Sequence, residues 1–323
     1  MPPLELGVLL HTRHLIRPDG ATDFDPLWED AGFADEAGFD HIWLGDSVTI
    51  LDKARGDCLT TMAALAARTR RVRIGVAPFL AALRHPVTLA HALATLDVIS
   101  KGRTIVGASV GSVKPDMNGQ FDACGVPHRE KAGRLGESIE IMRRLWTEKT
   151  VDFEGRYYTL RGAGILPHPV QQPTIPLWFA TGKNEKALAR AARLGDGWIT
   201  NASTLEIFTG CRRVIDAHLD AHPAETGRAQ SGFPSALYAS FHLDRDGDRA
   251  RSAGWAWMED FFRQPRAKLG QHLTIFGTPE ECAETLRGYR DAGLTAIIAR
   301  FASEDQRTQM RLCVDQLKPR LAA

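Results

Sequence analysis

Short apolar runs and helical patterns alternate eight times along this chain, with no hairpin signal between consecutive runs. The strand-length runs lie over 4–10, 41–44, 72–77, 104–110, 177–180, 196–200, 237–243 and 295–300. Helical spacing follows each of them, over 26–37, 57–70, 86–99, 131–146, a stretch closed by Gly195, 205–221, 279–292 and 304–321. A strand that must return parallel to its predecessor needs a crossover of a dozen or more residues, and a helix supplies it while covering one face of the sheet. Eight such units in 323 residues predict an α/β fold, a (β/α)8 TIM barrel, rather than an open doubly wound sheet. The absence of GxGxxG after the first run argues the same way. The rhythm is interrupted between strands 4 and 5, where 151–176 carries Tyr157, Tyr158, Gly162, Gly164 and four prolines and reads as an insertion over the surface. The stretch through Pro115 and Gly119 reads as loop, and the polar, Trp-bearing stretch 244–273 as an irregular segment before strand 8. Residues 1–323 are expected to form one domain.

Charge excludes some classes of function. Forty basic residues face 39 acidic ones for a net charge of +1, so neither a nucleic-acid surface nor a polybasic membrane tail is expected. No apolar run approaches the ~20 residues of a membrane span, and MPPLELGVLL lacks the basic start of a signal peptide. The expectation is a soluble, cytoplasmic protein. Cys58, Cys124, Cys211, Cys282 and Cys313 stand apart from one another, with no CxxC pair, so neither a disulfide framework nor a metal site is expected.

In a barrel the chemistry gathers at the carboxyl ends of the strands. There the chain places His11, Asp46, Ala77-Pro78, Ser109 to Ser112, Thr181 to Asn184, Thr200-Asn201, His242 and Arg300. Asp46 either accepts from a ring N–H or hydroxyl of a ligand or caps its own turn, since an ionised carboxylate so close to a buried strand needs a donor. His11 is either a proton carrier or a hydrogen-bonded residue of the rim. Thr181-Gly182-Lys183-Asn184 opens a helix, where free N–H groups and the macrodipole favour an anion, so the turn holds a phosphate or is an ordinary βα turn capped by Asn184. Ala77-Pro78 ends its strand either as a trans proline or as a kink. Arg84-His85-Pro86 reads as a helix start. Gly195 is expected to end the preceding helix in a left-handed conformation. No serine sits in a GxSxG elbow and no HExxH appears, so self-contained hydrolysis is unsupported. Chemically quiet side chains around small, glycine-rich strand ends suit a bound cofactor.

Several stretches resemble the bacterial luciferase-like monooxygenase superfamily: ADEAGFDHIWLGDS (34–47), LTTMAALAARTRRVRIGVAPFLAALRHPVTLAHALATLDVISKGR (59–103), FDACGVPHREKAGRLGESIEIMRRLWTEKTVDFEGRYY (121–158), LPHPVQQPTIPLWFATGKNEKALARAARLGDGW (166–198) and FGTPEECAETLRGYRDAGLTAII (276–298). The resemblance implies a (β/α)8 barrel binding FMN or, alternatively, coenzyme F420 at its mouth. It implies that Asp46 approaches the ring, that Ala77 and Pro78 form a bulge behind it, often cis, and that Thr181, Gly182, Lys183 and Asn184 hold the phosphate with Thr200 and Asn201 close by. Ser109 belongs to the same cofactor-binding set. The implied activity is a monooxygenase using reduced FMN and O2 on a small organic substrate, with a separate flavin reductase as a candidate partner, His11 as the candidate catalytic residue and a homodimer by analogy. The alternatives are F420-dependent hydride transfer, for which Lys53, Arg55 and Lys183 would meet a polyglutamate tail, and a flavin-binding barrel without turnover. Sugar-phosphate dehydrogenases of the superfamily carry a histidine and an acid where this chain has Ser47 and Ser112, which sets it apart from their alcohol-oxidising mechanism.

Overall fold

A computed structural model describes residues 3–12, 15–16, 20–49, 55–112, 115–202, 204–222, 232–270 and 272–322. In chain order the elements are β1 (Glu5–Leu9), α1 (Asp25–Ala37), β2 (His41–Leu44), α2 (Cys58–Arg68), β3 (Arg73–Phe79), α3 (Pro86–Ser100), β4 (Thr104–Ala108), α4 (Pro115–Ala123) and α5 (Lys131–Thr147). There follow β5 (Val151–Glu154), β6 (Thr159–Ala163), β7 (Leu177–Ala180), α6 (Glu185–Leu194), β8 (Gly197–Thr200), α7 (Leu205–Ala221) and β9 (Ser235–Leu243). The chain closes with α8 (Gly247–Phe262), β10 (Thr274–Gly277), α9 (Pro279–Asp291), β11 (Ala296–Phe301), α10 (Gln306–Leu312), a π turn at Cys313–Leu317 and α11 (Lys318–Ala322). Every one of the eight expected strands is present, parallel to its neighbours and followed by a helix. The fold is of the α/β TIM-barrel class.

Two compact units divide the chain. The first comprises Met1–His11, Leu27–Trp43 and Thr181–Ala323. Within it β8 pairs with β9, β9 with β11, β11 with β1 and β1 with β2, and β10 adds to the end of β9. The second comprises Thr12–Pro26 and Leu44–Ala180, where β3, β4 and β7 pair in that order. Strands β2, β4, β8 and β11 are buried at every position, as continuous apolar runs between helices must be.

The helix starts follow local chemistry. Thr278 and Glu281 form a reciprocal capping box ahead of Pro279, which sits where its missing N–H costs nothing. Asp246 caps α8 by accepting from the N–H groups of Asp248 and Arg249. At the far end of α3, Lys101 and Gly102 both take positive φ and turn the chain into β4.

Four sequence expectations are corrected. The insertion 151–176 contains an antiparallel hairpin, β5–β6, whose turn is fixed by Glu137 of α5 accepting from the N–H groups of Arg156, Tyr157 and Tyr158. Residues 115–123 are helical, with Pro115 at the start. The stretch before strand 8 is not irregular, because it holds α8 and β10. Within it Gly254 lets α8 lie close to β10: a Cβ there would come 2.7 Å from the Phe276 ring. Gly195 is extended (φ −91°, ψ 158°), so α6 ends by straightening rather than by a left-handed cap.

Candidate active site

In the second unit, the carboxylate of Asp46 is consumed by protein donors. Arg84 grips it with both terminal nitrogens, Nη1 at 2.8 Å and Nη2 at 3.0 Å. The backbone N–H of Leu80 donates at 3.0 Å and the Cys58 thiol at 3.4 Å. The Asp46 side chain is 1% exposed and that of Arg84 17%. Burial and the Asp46 charge push the Cys58 thiol far above its ordinary range, so it is an inert donor. Four donors fill the lone pairs of one carboxylate. Asp46 therefore has no capacity left for a ligand ring, and its chemistry is to fix the chain at Leu80, just beyond β3. The burial of a strand-end carboxylate signalled a donor; that the donor is Arg84, 38 residues away, had no local signal.

Beside this pair, the Ala77-Pro78 bond is cis. The register of β3 on β4 shifts there, from Val76 opposite Val106 to Phe79 opposite Ala108, which is the bulge expected. Ser109 continues the pairing through its N–H to the Phe79 carbonyl at 2.9 Å and accepts from the N–H of Gly111 at 3.2 Å. Lys131 is buried, donates to the Ser112 carbonyl at 3.1 Å, and has its pKa pushed down by that burial. Arg55 packs on Gly45, where any Cβ would collide with its guanidinium; Lys53 lies outside the described residues.

In the first unit, Thr181 to Asn184 join β7 to α6. The Thr181 N–H donates to Ile199 and its carbonyl accepts from the Trp198 indole at 3.0 Å, so the base of the turn is held rigidly against β8. Gly182, Lys183 and Asn184 are exposed. The N–H groups of Gly182 and Lys183 have no intramolecular acceptor among the described residues, and a Cβ built on Gly182 meets nothing within 4 Å. Asn184 caps α6 through the N–H of Ala187 at 3.0 Å. Thr200 is buried and its hydroxyl accepts from the N–H of Ala202, while Asn201 is exposed. Asn184 thus caps the helix, and the residues before it leave donors open to solvent.

Also in the first unit, His11 stacks on Trp257 at 5.3 Å, and Trp257 stacks on Phe261 at 4.4 Å. The indole of Trp257 donates to Glu304, and the backbone N–H of His11 donates to the Gln306 side chain, which also binds the Leu9 carbonyl. Nδ1 of His242 lies 2.7 Å from the Ala302 carbonyl and must donate to it, which sets the tautomer. Arg300 lies over Tyr238, Phe261 and Phe262 and donates to the Tyr238 hydroxyl. Tyr238, Trp257 and Phe261 were not among the strand-end residues read from the sequence, because the aromatic pair lies on α8 and Tyr238 in the middle of β9.

Among the described residues no helix is long and apolar enough to cross a membrane. Residues 4–296 match the model of the family described as luciferase-like monooxygenase. The F420-dependent glucose-6-phosphate dehydrogenase of Nocardia farcinica is 28% identical over 330 residues, covering 94% of this chain and 96% of its own. The 5,10-methylenetetrahydromethanopterin reductase of Archaeoglobus fulgidus is 26% identical, covering 89% and 93%. The crystal structure of the monooxygenase RslO1 from Streptomyces bottropensis superposes with a TM-score of 0.83 at 27% identity, covering 98% of this chain and 99% of its own.

Proposed function

The chain belongs to the luciferase-like monooxygenase family and is an oxidoreductase; from that premise we propose that it uses coenzyme F420 to transfer hydride to or from a small organic substrate. Of the two coenzymes expected from the sequence, F420 is the one named in the relatives' descriptions, for a dehydrogenase, while the reductase from Archaeoglobus fulgidus extends the likeness to reductive chemistry. The observation that carries the binding of a phosphate-bearing coenzyme is the turn Thr181 to Asn184, while the choice of F420 follows the relatives' descriptions. Its open N–H groups at the start of a ten-residue helix, the bare side of Gly182 and the Lys183 ammonium suit the phosphate common to F420 and FMN. Asp46 does not suit a ring contact, its oxygens being taken.

When bound, the coenzyme supplies the two-electron chemistry. The chain's own part is to hold and to exclude. Lys183 and the N–H groups of Gly182 and Lys183 bind the phosphate. The Asp46–Arg84 pair keeps Leu80, and with it the end of the β3 bulge, in one place. His11, kept in an aromatic stack, is the candidate to hold or move a proton at the substrate. Ser47 and Ser112 leave no acid or base at the two positions used by sugar-phosphate dehydrogenases, so the substrate is another compound.

A second reading, a monooxygenase using reduced FMN and O2 and supplied by a separate reductase, is supported by the likeness to RslO1. Titration of the full chain with oxidised and reduced F420 and FMN, followed by coenzyme absorbance, separates the two. F420 should bind tightly, and Gly182→Trp should weaken it by about tenfold or more, ~1.4 kcal/mol. Unchanged binding in that variant would remove the phosphate assignment, and a preference for FMN would transfer the conclusion to the second reading.

A further inference from the structure

Arg300 is a strand-end residue whose charge the described residues do not match. It sits near the end of β11, 8% exposed. Its only hydrogen-bond partner among the described residues is the neutral Tyr238 hydroxyl, no carboxylate lies within ion-pair distance there, and its Nε is buried with no acceptor. The remaining neighbours are rings, Tyr238 at 4.8 Å and Phe261 and Phe262 at 5.4 Å each. Aromatic faces attract a guanidinium, but they leave its N–H groups unmatched. A guanidinium this deeply buried is ordinarily matched by an anion, since removing it from water without one is costly. The Asp46–Arg84 pair shows the usual solution in the same chain.

We propose that Arg300 and Tyr238 form the carboxylate-binding end of the substrate site, and that the substrate is a flat organic carboxylate. Arg300 offers Nε–H. Tyr238, whose oxygen accepts from Arg300, retains an O–H with no acceptor among the described residues, so the two side chains present two donors for one carboxylate. The flat body is argued from the row His11, Trp257, Phe261, whose successive rings stand 5.3 and 4.4 Å apart with interplanar angles of 19° and 17°. These rings give the Arg300 guanidinium an aromatic surround, Phe261 lying 5.4 Å from it, and a planar body packs well against such a surface. His11 then stands in the same ring cluster that carries the anion site, which gives its proposed proton role a substrate to act on. This inference rests on the oxidoreductase reading for what happens to the substrate, but the anion site itself stands on the residues alone.

The test uses the full chain and calorimetric titration with benzoate and with benzamide, its neutral counterpart. Benzoate should bind and benzamide should bind at least about tenfold more weakly, as expected when a buried cation loses its anion. Arg300→Met should abolish the preference; should that variant fail to fold, Tyr238→Phe keeps the packing, removes one donor and should weaken benzoate severalfold. Equal affinity for the two compounds, no binding of benzoate, or benzoate binding untouched by Tyr238→Phe and Arg300→Met would each overturn the proposal. Coenzyme titration of the same samples keeps the two conclusions apart. Coenzyme binding without benzoate selectivity removes only the carboxylate site, and benzoate selectivity without binding of either coenzyme removes only the coenzyme reading.

Discussion

Asp46→Asn would tell whether the buried carboxylate serves the fold or the ligand. In the native chain Asp46 and Arg84 meet at 2.8 and 3.0 Å with the Asp46 side chain 1% exposed. Unit charges about 4 Å apart at an effective dielectric near 20 attract by ~4 kcal/mol. Removing one partner of a buried pair typically costs about 3–5 kcal/mol, because the other charge is left behind. Two features hold the figure down: Arg84 remains 17% exposed, and Asp57 stands 3.6 Å from its Nη2. Asparagine keeps one acceptor oxygen but turns an amide toward the guanidinium or the Cys58 thiol. The expected loss is about 3 kcal/mol, and at the low end of ~2–4 °C per kcal/mol for a long chain the melting temperature falls by roughly 6 °C. Thermal unfolding followed by circular dichroism measures it, with Asp57→Asn as the control, whose exposed carboxylate should contribute under about 1 kcal/mol. A shift below about 2 °C, combined with weakened coenzyme binding, would refute the reasoning and restore Asp46 as a ring contact.

Thiol reactivity follows burial. Cys58, Cys211, Cys282 and Cys313 are buried, with thiols pushed above the ordinary range by desolvation, Cys282 to about 12, whereas Cys124 is half-exposed. Native protein treated with a chromogenic disulfide should therefore label at Cys124 first, and Cys124→Ser should remove the rapid phase; fast labelling that survives would contradict the packing around α2, α7 and α9. The acid limb of stability should carry a contribution from Asp244. Its side-chain bond from Arg249, followed by the N–H of Asp246, holds its carboxyl down to about 2. A depressed folded pKa contributes fully above the unfolded value, near 3.9, and is lost as pH falls toward 2. Asp244→Asn should flatten the stability profile between about pH 4 and 2, and an unchanged profile would count against the bond.

Much of the architecture was legible because a parallel strand between helices leaves a continuous apolar run. His41 to Leu44 and Leu177 to Ala180 could be bounded to the residue. The hairpin β5–β6 was not, since the acceptor that holds its turn, Glu137, lies on α5, 19 residues before Arg156. Helix α8 was missed because Gly254 and half-exposed aromatics blurred its apolar spacing, although Ala250, Gly254, Trp257 and Met258 share its buried side.

The same division runs through the candidate site. The turn at Gly182 was readable from the chain, because a capping Asn184, a glycine and a helix start are all local features. The saturation of Asp46 and the unmatched charge of Arg300 were not, because each depends on which distant side chains arrive beside it. Sequence alone determined the order of strands and helices and therefore which residues lie at strand ends. Only the tertiary structure decided which charge at those ends is already neutralised and which has no counter-charge among the described residues, since a hydrogen bond's partner is set by position in space and not by separation along the chain.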